Sequence, residues 1–182
     1  MFEIRLAEPR DVPALDLLIP SAVRSLSAGF YSARQIESAI RHVFGPDTQL
    51  IQDQTYYVAV AAPANLIGCG GWSKRTTLYG GDQAKTAGDL LIEPGAHPAR
   101  IRAFFVDPGW ARRGVASAIL NSCSAAARRA GFRALELVAT LPGEPLYAAA
   151  GFRAVERYEL ELPDGVDLPV VRMLKDLPDI AG

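Results

Sequence analysis

Apolar residues recur along this chain with two periods, and the switches between them divide it into elements. FEIRL, residues 2–6, alternates apolar and charged positions as a half-buried strand does. A helix opening at Asp11 or Pro13 then places Leu15, Leu18, Ile19 and Val23 on one face. YSARQIESAIRHVF, 31–44, repeats the helical spacing with Ile36, Ile40, Val43 and Phe44. Ser32 is placed to cap it and Gly45-Pro46 to stop it. TYYVAVAA and NLIGCGGWSKR read as two strands of a hairpin turning at Pro63-Ala64.

From 76 to 98 neither period persists, and the stretch holds four glycines and two prolines. So long a loop in a compact domain is functional or loosely ordered; a lid or substrate loop and a plain insertion both fit. ARIRAFFV, 99–106, is a strand. Residues 113–130 form a helix with Val115, Ile119, Cys123, Ala126 and Ala130 on one stripe. A near-duplicate follows, AGFRALE at 130–136 and AGFRAVE at 150–156. Two copies are too few for a repeat fold. Each glycine, Gly131 and Gly151, instead reads as the left-handed residue that closes a helix before a strand. RALELVA, RAVERYELEL and PVVRMLKDL are the last strands. The order β-α-α-β-β-β-α-β-α-β-β mixes a hairpin with a crossover, so the class is α/β or α+β with a mixed sheet. ARIRAFFV and RALELVA, joined through a helix, should pair in parallel in a right-handed crossover.

Composition narrows the function classes. The 182 residues suit a single domain over 1–182, with the long loop at 76–98 inside it. A net charge of -1 gives no overall footprint for nucleic acid, although arginine pairs stand at 112/113 and 128/129. MFEIRLAEPRD has charges where a signal peptide needs an apolar run. The most apolar window, YYVAVAAPANLIGCGGW, is broken by Pro63, Asn65 and three glycines, so it does not span a bilayer. A cytoplasmic location with no membrane contact is the expectation. Cys69 and Cys123 are far apart and read as small buried hydrophobes. With two histidines and no His-Glu-x-x-His, no metal site is expected; Gly-x-Ser-x-Gly is also missing.

VDPGWARRGVA, 106–116, carries the chemistry. Pro108 and Gly109 end the strand, and the chain turns at once into a helix. The first turn of a helix has N–H groups without internal partners and a partial positive charge. Gly114 and Ala116 keep that turn uncluttered, and Arg112 and Arg113 add charge, so a phosphate is the natural guest. The glycine spacings of the P-loop and of the dinucleotide fingerprint are both missing. An ordinary strand–turn–helix joint is the alternative.

RIRAFFVDPGWARRGVASAIL resembles the acetyl-CoA-binding segment of the GNAT N-acetyltransferase superfamily: a strand ending Val-Asp-Pro, a Gln/Arg-x-x-Gly-x-Gly/Ala turn, then a helix. The turn falls on 111–116, with Ala111 where the family has Gln or Arg. LYAAAGF, 146–152, resembles the family's later motif, a tyrosine four residues before Gly-Phe. The resemblance implies a GNAT-like single domain around a central, mostly antiparallel mixed sheet of six or seven strands with four helices. It implies an N-acetyltransferase that moves acetyl from acetyl-CoA, a co-substrate, to an amine by direct attack, with no metal.

It also implies roles. Phe104, Phe105 and Val106 lie beside the acyl arm, with the backbone groups of Phe105 and Val106 bonding it. Arg112, Arg113, Gly114, Val115, Ala116 and Ser117 surround the pyrophosphate, and Tyr147 is the catalytic acid toward the leaving thiolate. The asparagine common before the tyrosine helix is missing from TLPGEPLY, where Pro142 and Pro145 stiffen the entry. No base is assigned: Glu93, Asp89, Glu144 and His97 are candidates, and His42 reads as a surface or capping residue. Acceptor recognition, of a small-molecule or peptide amine, is expected from the two N-terminal helices and 76–98, with Tyr31 and Trp72 as candidate walls. A homodimer is compatible with such domains. A catalytically inactive acyl-CoA sensor or interaction domain is the competing reading, and a nucleotide enzyme a weaker third.

Overall fold

The structure is a computed structural model and describes residues 1–85 and 88–178. Positions 86 and 87 of the expected long loop, and 179–182 of the expected domain, lie outside the described residues. The strands are β1 (Phe2–Leu6), β2 (Tyr56–Ala61), β3 (Asn65–Ser73), β4 (Ala99–Val106), β5 (Ala134–Thr140), β6 (Arg153–Glu161) and β7 (Asp167–Asp176). They form one seven-stranded sheet in the order β1-β2-β3-β4-β5-β7-β6. All neighbours are antiparallel except β4 and β5, the pair joined by a helical crossover. The mixed class and mostly antiparallel sheet expected from the sequence are what is found.

Five α-helices occur among the described residues: α1 (Val12–Leu26), α2 (Ala33–His42), α3 (Thr48–Gln52), α4 (Val115–Arg129) and α5 (Glu144–Ala149). The sequence predicted four; the addition is α3, a single turn capped by Asp47, whose carboxylate accepts from the Leu50 N–H at 3.2 Å. Ser32 caps α2 through a reciprocal box with Gln35. Gly131 and Gly151 have φ of +92° and +90°, the left-handed helix ends expected.

Two cores lie on opposite faces of the sheet. One is packed by α1, α2 and α3 against Val58, Cys69 and Val170. The other is packed by α4 and α5 against Ile67, Ile101, Leu137 and Met173. On α4 the buried line follows the i, i+4 row Val115, Ile119, Cys123 and Ala127. Ala127 is therefore buried, whereas the expected Ala126 is half-buried and Ala130 exposed. No helix among the described residues is long and apolar enough to cross a membrane.

Candidate active site

The parallel pair β4–β5 is where the sheet comes apart. It is in register only at Ala99↔Leu135 and Arg100↔Glu136. A charged knot marks the closed end: Glu136 accepts from Arg100 and, at 2.5 Å, from Arg172 on β7. Three residues past Arg100 β4 kinks. Ala103 has φ of +56°, and Ala103 and Phe104 together oppose the single Gly70 of β3, a β-bulge. The bulge carbonyl of Ala103 accepts from the buried Tyr56 hydroxyl at 3.3 Å and faces the Cys69 thiol at 3.7 Å. Gly70 makes room, since a Cβ there would stand 2.7 Å from the Phe104 ring.

Beyond the bulge β4 has a partner on one edge only. The Asp107 N–H donates to the Ile67 carbonyl at 2.8 Å. By the alternation of an antiparallel ladder, Phe105 then turns its N–H and C=O toward β3, and Val106 turns its own toward the gap. The sequence reading had both facing the gap; the ladder's phase sends the Phe105 pair the other way.

The gap opens into a cleft of about 750 Å³. Phe104, Phe105, Val106, Arg112 and Tyr147 line it, together with Gly114, Val115, Ala116 and Ser117 of the α4 turn. Arg113 does not. Its guanidinium lies 5.4 Å from the Trp110 ring centre, a cation–π contact that draws it aside. In the turn itself Asp107 Oδ1 accepts from the Gly109 N–H at 2.8 Å, and Arg112 and Gly114 have φ of +62° and +81°. A Cβ at Gly114 would meet nothing within 4 Å, so glycine serves the backbone angle there, not space. The first helical bond of α4 runs from the Ala118 N–H to the Gly114 carbonyl at 2.9 Å. The N–H groups of Val115, Ala116 and Ser117 have no intrahelical partner, and neither a side-chain cap nor an acidic residue occupies this end. It carries the partial positive charge of an open helix start.

Tyr147 stands on α5 against the other side of the cleft, edge-on to Phe104 at 6.2 Å and to Phe152 at 5.8 Å. Burial pushes its phenol well above the usual tyrosine range, and no hydrogen bond to another described residue ties it down. Pro145, on the first turn of α5, and Pro142 just before it also line the cleft.

The candidate bases stand elsewhere. Glu144 is held by Arg157 through two hydrogen bonds of 3.0 and 2.5 Å. Asp89 accepts from the Thr77 N–H at 2.8 Å, and Glu93 and His97 are exposed on the loop. None of the four is a wall of the cleft. His42 is half-buried, with its Nε2 turned inward 3.7 Å from Asp164, rather than at the surface. The two candidate acceptor walls are structural. Trp72 packs edge-on to Phe132 at 5.9 Å in the core. The Tyr31 hydroxyl donates to the Pro169 carbonyl at 2.6 Å and accepts from the Leu141 N–H at 2.8 Å.

The loop after β3 is a fixed wall at its start. Arg102, 3 % exposed, donates to the carbonyls of Thr77 at 3.1 Å and Gly80 at 2.6 Å. Its charge meets the fully buried Asp47 at 2.7 Å, off hydrogen-bond angle, and Lys85 closes on the other carboxylate oxygen. These ties bring Tyr79 to the cleft, where it joins Phe44 and Trp110 as walls the sequence reading did not name.

The comparisons agree with this architecture. The model of the acetyltransferase (GNAT) family matches residues 21–152. The chain belongs to that family. No curated protein matches it. Among solved structures, a GCN5-related N-acetyltransferase from Rhodopseudomonas palustris is 17% identical, with a TM-score of 0.70 over 96% of this chain and 95% of that one. PaiA N-acetyltransferase from Thermoplasma acidophilum, solved in complex with coenzyme A, is 17% identical, with a TM-score of 0.65 over 97% and 99%. A GCN5-related N-acetyltransferase from Kribbella flavida is 22% identical, with a TM-score of 0.58 over 97% and 98%. At these identities the likeness is one of fold.

Proposed function

We propose that this protein transfers the acetyl group of acetyl-CoA to an amine, and that the cleft between β4 and β5 is where it does so. The observation that carries this reading is the meeting of three features on one cleft: an unpaired strand edge at Val106, an open helix start at Val115–Ser117 and a buried, unbonded phenol at Tyr147. The residues fit the co-substrate. The free N–H groups of the α4 turn, with Arg112, hold the pyrophosphate. Val106 offers its N–H and C=O to the amides of the pantetheine arm, and Phe104 and Phe105 flank it. Arg113 contributes charge from the rim, over Trp110. Bound there, acetyl-CoA supplies an activated acyl carbon and a thiolate leaving group.

Tyr147 stabilises that thiolate as it departs. Burial raises the phenol's pKa, which keeps its proton available to the departing sulfur. It acts as a hydrogen-bond donor that stays protonated through the working pH range. Replacing Tyr147 with Phe tests this: turnover falls by roughly 10²-fold or more while acetyl-CoA affinity is kept. If the protein only senses acyl-CoA, the substitution changes neither quantity.

A further inference from the structure

The walls of the same cleft carry information about the acceptor. Besides β4, β5, the α4 turn and α5, they include the end of α1, Phe30, Phe44, and Leu78 and Tyr79 of the pinned loop. Phe44 meets Phe105 edge-on at 5.7 Å. Apolar surface continues to the outside: Phe30 is 54 % exposed and Leu26 37 %. Among the described residues no wall carries a carboxylate or an imidazole. The titratable and charged side chains that line it are Tyr79, Tyr147, Arg102 and Arg112, two phenols and two guanidinium groups. Asp47, behind Arg102, is fully buried and already held by Arg102 and Lys85. Asp82 accepts from the Thr48 N–H at 3.0 Å and from Lys85 at 3.1 Å.

An ammonium ion entering such a cleft gives up its water without meeting a counter-charge. An alkyl amine of pKa about 10.4 is neutral in roughly one molecule in 2,500 at pH 7, so it also needs a base, and none of the candidate bases lines the cleft. An amine whose lone pair is delocalised into a ring has neither difficulty. We infer that the acceptor is an aromatic amine, uncharged at neutral pH, whose ring is seated among Phe30, Phe44 and Tyr79. This rests on the acetyltransferase reading and narrows its substrate class. The amine nitrogen attacks the acyl carbon, an N–C bond forms and the C–S bond breaks. One amine proton passes through water to the sulfur, giving the N-aryl acetamide and the free thiol.

The test uses the full chain with acetyl-CoA, reading thiol release. The acceptors are 4-ethylaniline, 2-phenylethylamine (a similar ring bearing a cationic amine), spermidine and lysine. The aniline is expected to give a kcat/KM at pH 7 at least about tenfold above the others, flat from pH 7 to 9. The alkyl amines should rise by about tenfold per pH unit as their neutral fraction grows. Phe30→Ala, at an exposed position that folding tolerates, is expected to raise KM for the aniline by on the order of tenfold and leave that for acetyl-CoA unchanged. Spermidine, lysine or phenylethylamine outrunning the aniline at pH 7 overturns the inference. So does a protein that binds acetyl-CoA yet accepts no aromatic amine, or a Phe30→Ala variant with unaltered KM. Failure to bind acetyl-CoA at all overturns the acetyltransferase reading itself, and this inference with it.

Discussion

Arg102 is the side chain through which the sheet, α3's cap and the long loop are coupled, and its replacement by Met removes that coupling at nearly constant volume. The guanidinium is 3 % exposed, lies 2.7 Å from Asp47 and donates to two loop carbonyls. Removing one partner of a buried ion pair costs about 3–5 kcal/mol, because the other charge is left behind. Lys85 remains on Asp47, which sets the expectation at the lower end, about 3 kcal/mol. For a chain of this size each kcal/mol moves the melting point by about 2–4 °C, so Arg102→Met should melt about 6–12 °C lower. Urea unfolding followed by fluorescence gives the free energy, and calorimetry the midpoint. Asp47→Asn added to Arg102→Met should restore part of the loss, with a coupling of about 0.5–3 kcal/mol. Arg102→Met within about 0.5 kcal/mol of wild type, or a double variant that loses the sum of the singles, refutes the reasoning.

Other positions make independent predictions. Gly70→Ala forces the Phe104 ring, 2.7 Å from the new Cβ, back by about 0.7 Å toward ordinary contact at 3.4 Å. It should cost about 1–3 kcal/mol in urea unfolding, as overpacked cores do. Gly114→Ala and Gly114→Ser should each cost about 1–2 kcal/mol and nearly the same amount, since the strain lies in a φ of +81° and the space is open. Burial pushes the Cys69 thiol up to about 12 and raises Cys123 as well. A folded pKa above the unfolded one means stability is intact below the unfolded value, near 9, and is lost as pH rises toward the folded one. The unfolding free energy from urea should therefore fall above pH 9 with a slope that approaches about 1.4 kcal/mol per pH unit for each thiol. Cys123→Ala should remove about half of the fall between about pH 9 and 10, before buried tyrosines such as Tyr147 contribute.

Much of the architecture was legible because it rests on local signals. Ser32 with Gln35, and Gly131 and Gly151, mark element ends by chemistry that depends on neighbours in sequence. The α4 turn was legible as a strand–turn–helix joint, but Gly114 reads there as removing bulk, whereas it serves a φ of +81° in open space. The bulge at Ala103 was not legible, because an alanine in ARIRAFFV has no sequence mark of a positive φ. What fixes it is distant, the Tyr56 hydroxyl, the Cys69 thiol and the empty side of Gly70. Side-chain directions have the same origin: the Arg113 guanidinium lies over Trp110 at the rim, Trp72 is claimed by Phe132, and the loop is pinned by Arg102. Each is a long-range contact or a choice of side-chain direction. α3 is too short for a period, and the Asp47 that caps it is also the buried partner of Arg102.

The central claim, that the cleft between β4 and β5 seats acetyl-CoA, is tested most directly by a thermal-shift titration with acetyl-CoA, with dephospho-CoA and ATP run beside it. At a hundredfold excess over Kd, a ligand that binds only the folded chain adds about 2.7 kcal/mol, a rise of roughly 5–10 °C at this chain length. That rise is expected for acetyl-CoA and not for ATP. No rise at millimolar acetyl-CoA would contradict it and leave 106–116 as an ordinary joint between a strand and a helix.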